Sequence, residues 1–437
     1  MRNIITNTSW LLLEKIVSMG GNLFVTVVIA RSLGVEEFGT FNYLLALIAI
    51  LTPISTIGIN AILSRDVLKR PENEIVIFSS GISLRFLGGV IFSFSLLAVG
   101  YYFLSLNNQE FTYLTILVAL NITNCFQGLE FWFQAKLKMR ALSIFRLLLV
   151  LIFLVLKITF ASSNDAFFAL ILIFGAEAFV RGLGCYFLFA KACGNLSFNY
   201  IDKLYSKELV KNSFWLFLSG IAAVIYLKID QVMLAEISGH AETGVYSVAV
   251  RLSEVWYFFA TAFVSSIFPL IMDAKKSNEN VYYQKLQYCS DMLCWSAALI
   301  AIVVSCMSDF FIELVFGTEY SKSAPILVIH IWGAIFVFMR ALISKWILAE
   351  NLLKISLYSQ GLGAVCNVIL NYLLIPEFGG IGAAISTVVS YIFSGWLIFY
   401  CADDTRPVAK MVHNSLLLPL SGAKRYKPIL RKIRCKM

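Results

Sequence analysis

From about residue 8 to residue 401 the sequence is a succession of apolar runs, each twenty or more residues long, separated by short polar breaks. Backbone N–H and C=O groups cannot stay unpaired in hydrocarbon, so runs of this length are expected to be spanning helices. They number twelve: 8–31, 40–62, 75–102, 112–134, 141–160 and 166–191, then 212–236, 244–272, 285–316, 323–349, 354–375 and 380–401. The first contains Glu14 and Lys15 and runs for about 24 residues, too long and too charged for a cleavable signal segment. Charged residues make up 14% of the chain, where a soluble domain carries roughly 25%. The expected fold is all-α and integral to the membrane.

Two stretches 205 positions apart repeat one pattern at the ends of apolar runs. The first reads Ala30-Arg31-Ser32-Leu33-Gly34-Val35-Glu36-Glu37-Phe38-Gly39-Thr40-Phe41, and the second Ala235-Glu236-Ile237-Ser238-Gly239-His240-Ala241-Glu242-Thr243-Gly244-Val245-Tyr246. Glycine permits a tight reversal between two spans where a side chain would clash. The repeat points to two related halves, 1–205 and 206–404, followed by a basic tail, 405–437. Six spans in each half make the repeat parallel: two six-helix lobes around a central cavity.

Lys and Arg alternate with the loops. One set holds Arg65, Lys69 and Arg70; Lys136, Lys138 and Arg140; Lys191, Lys203, Lys207 and Lys211; Lys275, Lys276 and Lys285; and Lys354. The other set holds only Arg31 and Lys322. Cationic loops stay in the cytoplasm, which places both termini there. The tail adds nine further cations, from Arg406 to Lys436, and accounts for much of the net charge of +9. Such a tail sets topology and attracts anionic lipid headgroups. With no soluble domain to build a site, nucleic acid is not an expected partner.

Several chemistries have no signal. The cysteines form no Cys-x-x-Cys pair, and His240, His330 and His413 have no metal-ligand spacing. No phosphate-cradling Gly-x-x-x-x-Gly-Lys-Ser/Thr sequence is present. The outer loops are too short for a membrane glycosyltransferase or polymerase. No metal, cofactor or catalytic residue is therefore expected, and the chain reads as a non-enzyme.

Charge inside the membrane is expensive and marks function by default. Glu177 and Arg181 are four apart and Arg251 and Glu254 three apart, so each pair shares a helix face. Lys228 and Asp230 are two apart and face different partners. Arg85 and Arg340 have no opposite charge nearby on their own helices. Each lies roughly 15 Å from its cytoplasmic end, too deep for easy snorkelling. Arg146, Lys345 and Glu130 lie near the cytoplasmic boundary and Lys157 near the outer end, where snorkelling accounts for them. Asn121, Asn124, Gln127, Glu130 and Gln134 form a drifting polar stripe on the fourth span, which either lines a cavity or bonds helix to helix. A cavity with deep arginines suits an anionic ligand such as a phosphate.

Lys228-Ile229-Asp230-Gln231-Val232-Met233-Leu234 resembles a hallmark of the bacterial polysaccharide flippases of the multidrug/oligosaccharidyl-lipid/polysaccharide superfamily. Gly244-Val245-Tyr246-Ser247, running on through Arg251-Leu252-Ser253-Glu254-Val255-Trp256-Tyr257 to Ser265-Ser266-Ile267-Phe268-Pro269, is similar to the same family. So are the first glycine turn and Leu374-Ile375-Pro376 with Gly379 and Gly382-Ala383-Ala384. Within it, the O-antigen flippases, often called Wzx proteins, are the subgroup most alike. The resemblance implies translocation of an undecaprenyl-pyrophosphate-linked oligosaccharide across a bacterial inner membrane by two rocking lobes. Membrane lipids and other polysaccharide-assembly membrane proteins are its implied partners.

On that basis Arg85 and Arg340 are expected to hold the pyrophosphate or acidic sugars, with Lys228 and Arg251 assisting. Asp230 and Glu254 are expected to bind a coupling ion, a proton or sodium, or to switch between cations. Glu177, Arg181, Asn124 and Gln127 are secondary cavity candidates. The alternatives are a multidrug or small-solute antiporter of the same superfamily and, from another class, a membrane glycosyltransferase or O-antigen polymerase.

Overall fold

A computed structural model describes residues 2–350 and 352–419. Among these the secondary structure consists of α-helices and short 3-10 segments, with no strand. Among the described residues, ten helical elements are long and apolar enough to cross a bilayer. Two of them, Leu13–Lys69 and Lys354–Tyr400, hold 57 and 47 residues. At 1.5 Å per residue each is more than twice as long as the roughly 30 Å hydrocarbon layer. Both break at a glycine with non-helical backbone: Gly34 at φ 75, ψ 178, and Gly379 at φ 52, ψ −130. Dividing the two there turns ten elements into the twelve expected spans.

Surface and interior are inverted relative to a soluble protein. Phe94, Ile152, Leu299 and Tyr372 are more than half exposed, as residues facing lipid should be. Arg85, Lys157, Glu177 and Asp230 are buried. Packing divides the chain into two compact units, residues 1–247 with 313–320, and 248–312 with 321–437.

In the first unit, Phe78, Trp132 and Phe189 form an aromatic centre, with ring centroids 5.6 Å apart for Phe78–Phe189 and 5.5 Å for Trp132–Phe189. Trp132 Nε1 donates to Glu74 Oε2 at 2.5 Å, and Lys136 pairs with the same carboxylate. The fourth span is α-helical over Asn108–Leu120, 3-10 over Asn121–Leu129 and α-helical again over Glu130–Ala135. A 3-10 helix has three residues per turn. Asn121, Asn124, Gln127 and Glu130, which drift around an α-helix, therefore line up along one face here.

In the second unit, the helix Ala334–Ala349 is sheathed by its neighbours and buries Phe338, Leu342 and Trp346. The start of the tail is an amphipathic helix, Arg406–Leu416, whose Val408, Met411 and Val412 are buried. It docks on Glu279–Phe316: Gln287 Nε2 donates to Met411 O at 3.1 Å, Trp295 Nε1 to Ser415 O at 2.9 Å, and Ser415 Oγ to Asp291 Oδ1 at 2.7 Å. The tail cations from Lys424 to Lys436 lie outside the described residues.

Candidate functional site

The repeated turns adopt the same backbone. Gly34 sits at φ 75, ψ 178 and Gly239 at φ 88, ψ 174, a region essentially reserved for glycine. The second glycine of each turn then packs against the other turn. A Cβ on Gly39 would lie 1.8 Å from His240 O, and one on Gly244 would lie 2.1 Å from Val35 O. Val35 and His240 are themselves 205 positions apart, as are Gly39 and Gly244. The contact is thus reciprocal, each repeat offering the same glycine to the same carbonyl of the other.

Polar bonds surround this clasp. Tyr43 donates its hydroxyl to Glu236, whose other oxygen accepts the Ser105 N–H at 3.2 Å. His240 Nε2 lies 2.9 Å from Glu110 Oε1. Tyr320 donates to Ala30 O at 2.8 Å. Arg31 donates to Leu314 O at 2.6 Å and Val315 O at 2.8 Å, satisfying carbonyls in the last turn of Glu279–Phe316.

A polar cavity of about 220 Å³ lies elsewhere in the first unit, between the first span, the 3-10 segment and the helices Met139–Ala161 and Ala166–Ala192. It brings together three of the sequence candidates, Gln127, Glu177 and Arg181. Glu177 is shared: Arg181 bonds one carboxylate oxygen, and Lys157 Nζ lies 2.5 Å from the other. On the cavity's other side, Arg146 bridges Glu130 at 2.7 Å and Glu14 at 3.7 Å.

These pairs correct the snorkelling assignments. Lys157 is 4% exposed and bound to Glu177, and Arg146 and Glu130 pair with each other. Only Lys345 of that set is exposed. Helix spacing could not have found the pairs, because their members come from different spans; the carboxylate of Glu14 within the first run was the available signal.

Arg85 is 2% exposed and fully engaged. Its Nε donates to Cys125 O at 2.9 Å, Nη2 to Asn124 O at 3.2 Å, and Nη1 to Asn60 Oδ1. Two of these acceptors are carbonyls of the 3-10 segment, where α-helical pairing is interrupted. Arg85 therefore braces that segment, and Asn124 enters through its backbone.

Asp230 is buried. Its Oδ1 accepts the Gln231 N–H at 2.8 Å and its Oδ2 accepts the Tyr246 hydroxyl. Lys228 is half-buried on the same helix. In the second unit, Arg251 and Glu254 end the helix His240–Glu254, just before a break at Val255 and Trp256. Arg340 Nη1 lies 3.5 Å from Ser394 O, and its guanidinium sits 5.7 Å from the Phe399 ring centre. Among the described residues no His, Cys, Asp and Glu cluster has metal-holding geometry.

Residues 4–275 match the family described as "Polysaccharide biosynthesis protein", more than half of the chain. The chain belongs to that family. Residues 185–412 also match the family "Lipid II flippase MurJ". The chain is 26% identical over 189 residues to the "Probable low-salt glycan biosynthesis flippase Agl15" of Haloferax volcanii, covering 43% of this chain and 40% of that protein. The match thus spans about two fifths of that relative. It is 20% identical over 401 residues to "Capsular polysaccharide biosynthesis protein CapF" of Staphylococcus aureus, covering 89% and 96%.

Among solved structures, an inward closed conformation of the lipid II flippase MurJ aligns with a TM-score of 0.68 at 16% identity, over 95% of this chain and 91% of that one. An inward-facing multidrug resistance MATE transporter aligns at 0.62 with 12% identity, over 91% and 95%. At these identities the likeness is one of fold.

Proposed function

We propose that the protein moves an undecaprenyl-pyrophosphate-linked oligosaccharide, an O-antigen repeat unit, from the inner to the outer leaflet of a bacterial inner membrane by alternating access. The observation that carries this reading is the pair of family matches, which together run from residue 4 to residue 412 and concern polysaccharide and lipid II handling. The names of Agl15 and CapF, both proteins of glycan assembly, support it. The cationic alternate loops support cytoplasmic termini.

In this reading Arg340, Lys228 and Arg251 contact the pyrophosphate or acidic sugars, and Asp230 and Glu254 bind the coupling ion or exchange partners. Arg85 acts by position, holding the 3-10 segment through Cys125 and Asn124. The reciprocal glycine clasp closes the outer end, since its two turns join spans at the side opposite the cationic loops. It must part for the headgroup to leave. No step requires catalysis.

A multidrug antiporter is the second reading, favoured by the fold likeness to the MATE transporter. Cells lacking the protein separate the two. Lipid-linked oligosaccharide accumulating on the cytoplasmic leaflet, with surface glycan restored by the intact gene, establishes flipping. Arg340→Ala at normal expression should then lower surface glycan at least tenfold. Unchanged glycan with increased drug sensitivity establishes the antiporter.

A further inference from the structure

The charged cavity of the first unit has features that a phosphate site or a simple cation site does not need. Its three carboxylates, Glu14, Glu130 and Glu177, pair with Arg146 and Arg181 on the cavity wall and with Lys157 beside it, so the ion-paired group as a whole is neutral. An anion or a metal ion entering such a site gains from one sign and loses from the other. The uncharged wall is different. Ser18, Asn22 and Gln127 line the cavity, and their side chains make no hydrogen bond to another described residue. Arg146 Nε is buried behind this lining, with no hydrogen-bond partner among the described residues.

Ser18, Asn22 and Gln127 therefore offer donors and acceptors of both kinds to one partly open cavity, Asn22 from an exposed position. A ligand that displaces water from such groups must reproduce the hydrogen bonds it replaces. The complementary ligand is neutral and carries several hydroxyls, each able to donate and accept. At roughly 30 Å³ per water, the 220 Å³ of the cavity is room for about seven waters or one pyranose ring.

We infer that this cavity is a sugar subsite: it takes one ring of the oligosaccharide headgroup, with Ser18, Asn22 and Gln127 reading its hydroxyls. The inference rests on the flippase reading above and adds which part of the substrate the first unit recognises. The pyrophosphate is left to the cations outside this cavity. Recognition of the sugar is then separable from recognition of the carrier.

The test measures equilibrium binding of the full-length purified protein to two probes. One is undecaprenyl pyrophosphate; the other is the glycosylated lipid extracted from cells lacking this protein. Wild type should bind the glycosylated lipid at least tenfold more tightly. Ser18→Leu and Asn22→Leu, which fill the cavity while leaving its charge pairs, should collapse that ratio to within about twofold of unity. Gln127→Leu, on the 3-10 segment, should do the same, and each variant counts only if its melting temperature matches wild type within a few degrees. Variants that keep the wild-type ratio overturn the sugar subsite, whether or not both affinities fall together. Wild type binding neither lipid overturns the flippase reading, and the subsite with it.

Discussion

Two regions of the first unit solve opposite packing problems. In the clasp, Gly39 and Gly244 meet backbone carbonyls so closely that neither has room for a methyl group. In the cavity, side chains from four spans stand apart and leave about 220 Å³ between them. The clasp depends on the absence of side chains and the cavity on their charges. A contact made of backbone has two well-separated states, joined or parted, whereas a cavity with balanced charges can accept a ligand without rearranging its walls. The first suits a gate and the second a recognition site.

The largest expected effect lies in the cavity. Glu177→Leu leaves Lys157 and Arg181 without their shared carboxylate. Removing one partner of a buried ion pair costs about 3–5 kcal/mol, so thermal unfolding of the purified protein should shift sharply downward. An unchanged melting temperature would mean that Lys157 reaches water and is not held by Glu177.

The clasp comes next. Gly39→Ala and Gly244→Ala each force a methyl into a neighbouring carbonyl, and overpacking of this kind costs roughly 1–3 kcal/mol. Because both act on one contact, the double variant should cost clearly less than the sum of the singles. Outer-side labelling of a cysteine placed at Thr40 should rise in each single variant. Strict additivity, or labelling at the wild-type rate, would show that the turns do not move as one contact.

Gly34 and Gly239 separate strain from crowding. A Cβ at either meets nothing within 4 Å, so substitution there tests backbone conformation alone. Alanine should cost roughly 1–3 kcal/mol at each. Asparagine should be no better, since their ψ values of 178 and 174 lie outside the left-handed helical region that asparagine tolerates. Rescue by asparagine in a melting experiment would contradict the assigned turn geometry.

Ser18→Ala is expected to be the mildest change. Its hydroxyl has no partner among the described residues, so stability should stay within about 0.5 kcal/mol of wild type. A larger loss would reveal a structural bond at that position.

The contrast also explains what was legible in the sequence. Glycines at a fixed 205-residue offset reveal the repeated turn, because a tight reversal is written in the residues that permit it, but not that the two turns touch. The twelve apolar runs were readable for a similar reason: hydrocarbon leaves each segment no choice but to pair its own backbone. The cavity was only half visible. Glu177 and Arg181 lie one helical turn apart and could be paired from spacing, but Lys157, Arg146, Glu130 and Glu14 find partners on other spans. For Lys157, Arg146 and Glu130, proximity to span ends makes snorkelling the simpler expectation.

The surroundings of Arg85 were hidden for another reason. A deep cation with no carboxylate nearby looked free for a ligand, yet its acceptors are backbone carbonyls exposed by a change of helix type. The signal for that change was present: polar residues at 121, 124, 127 and 130 recur every third position, the period of a 3-10 helix.

The most direct test of the whole account is transport by the purified protein in liposomes containing glycosylated undecaprenyl pyrophosphate, read by loss of the sugar to an added glycosidase. If the protein is a flippase, the fraction of lipid accessible to the enzyme should rise from about half towards completion with wild type, and much more slowly with Arg340→Ala. Accessibility that stays at the level of protein-free liposomes, under an imposed proton or sodium gradient as well as without one, would contradict it.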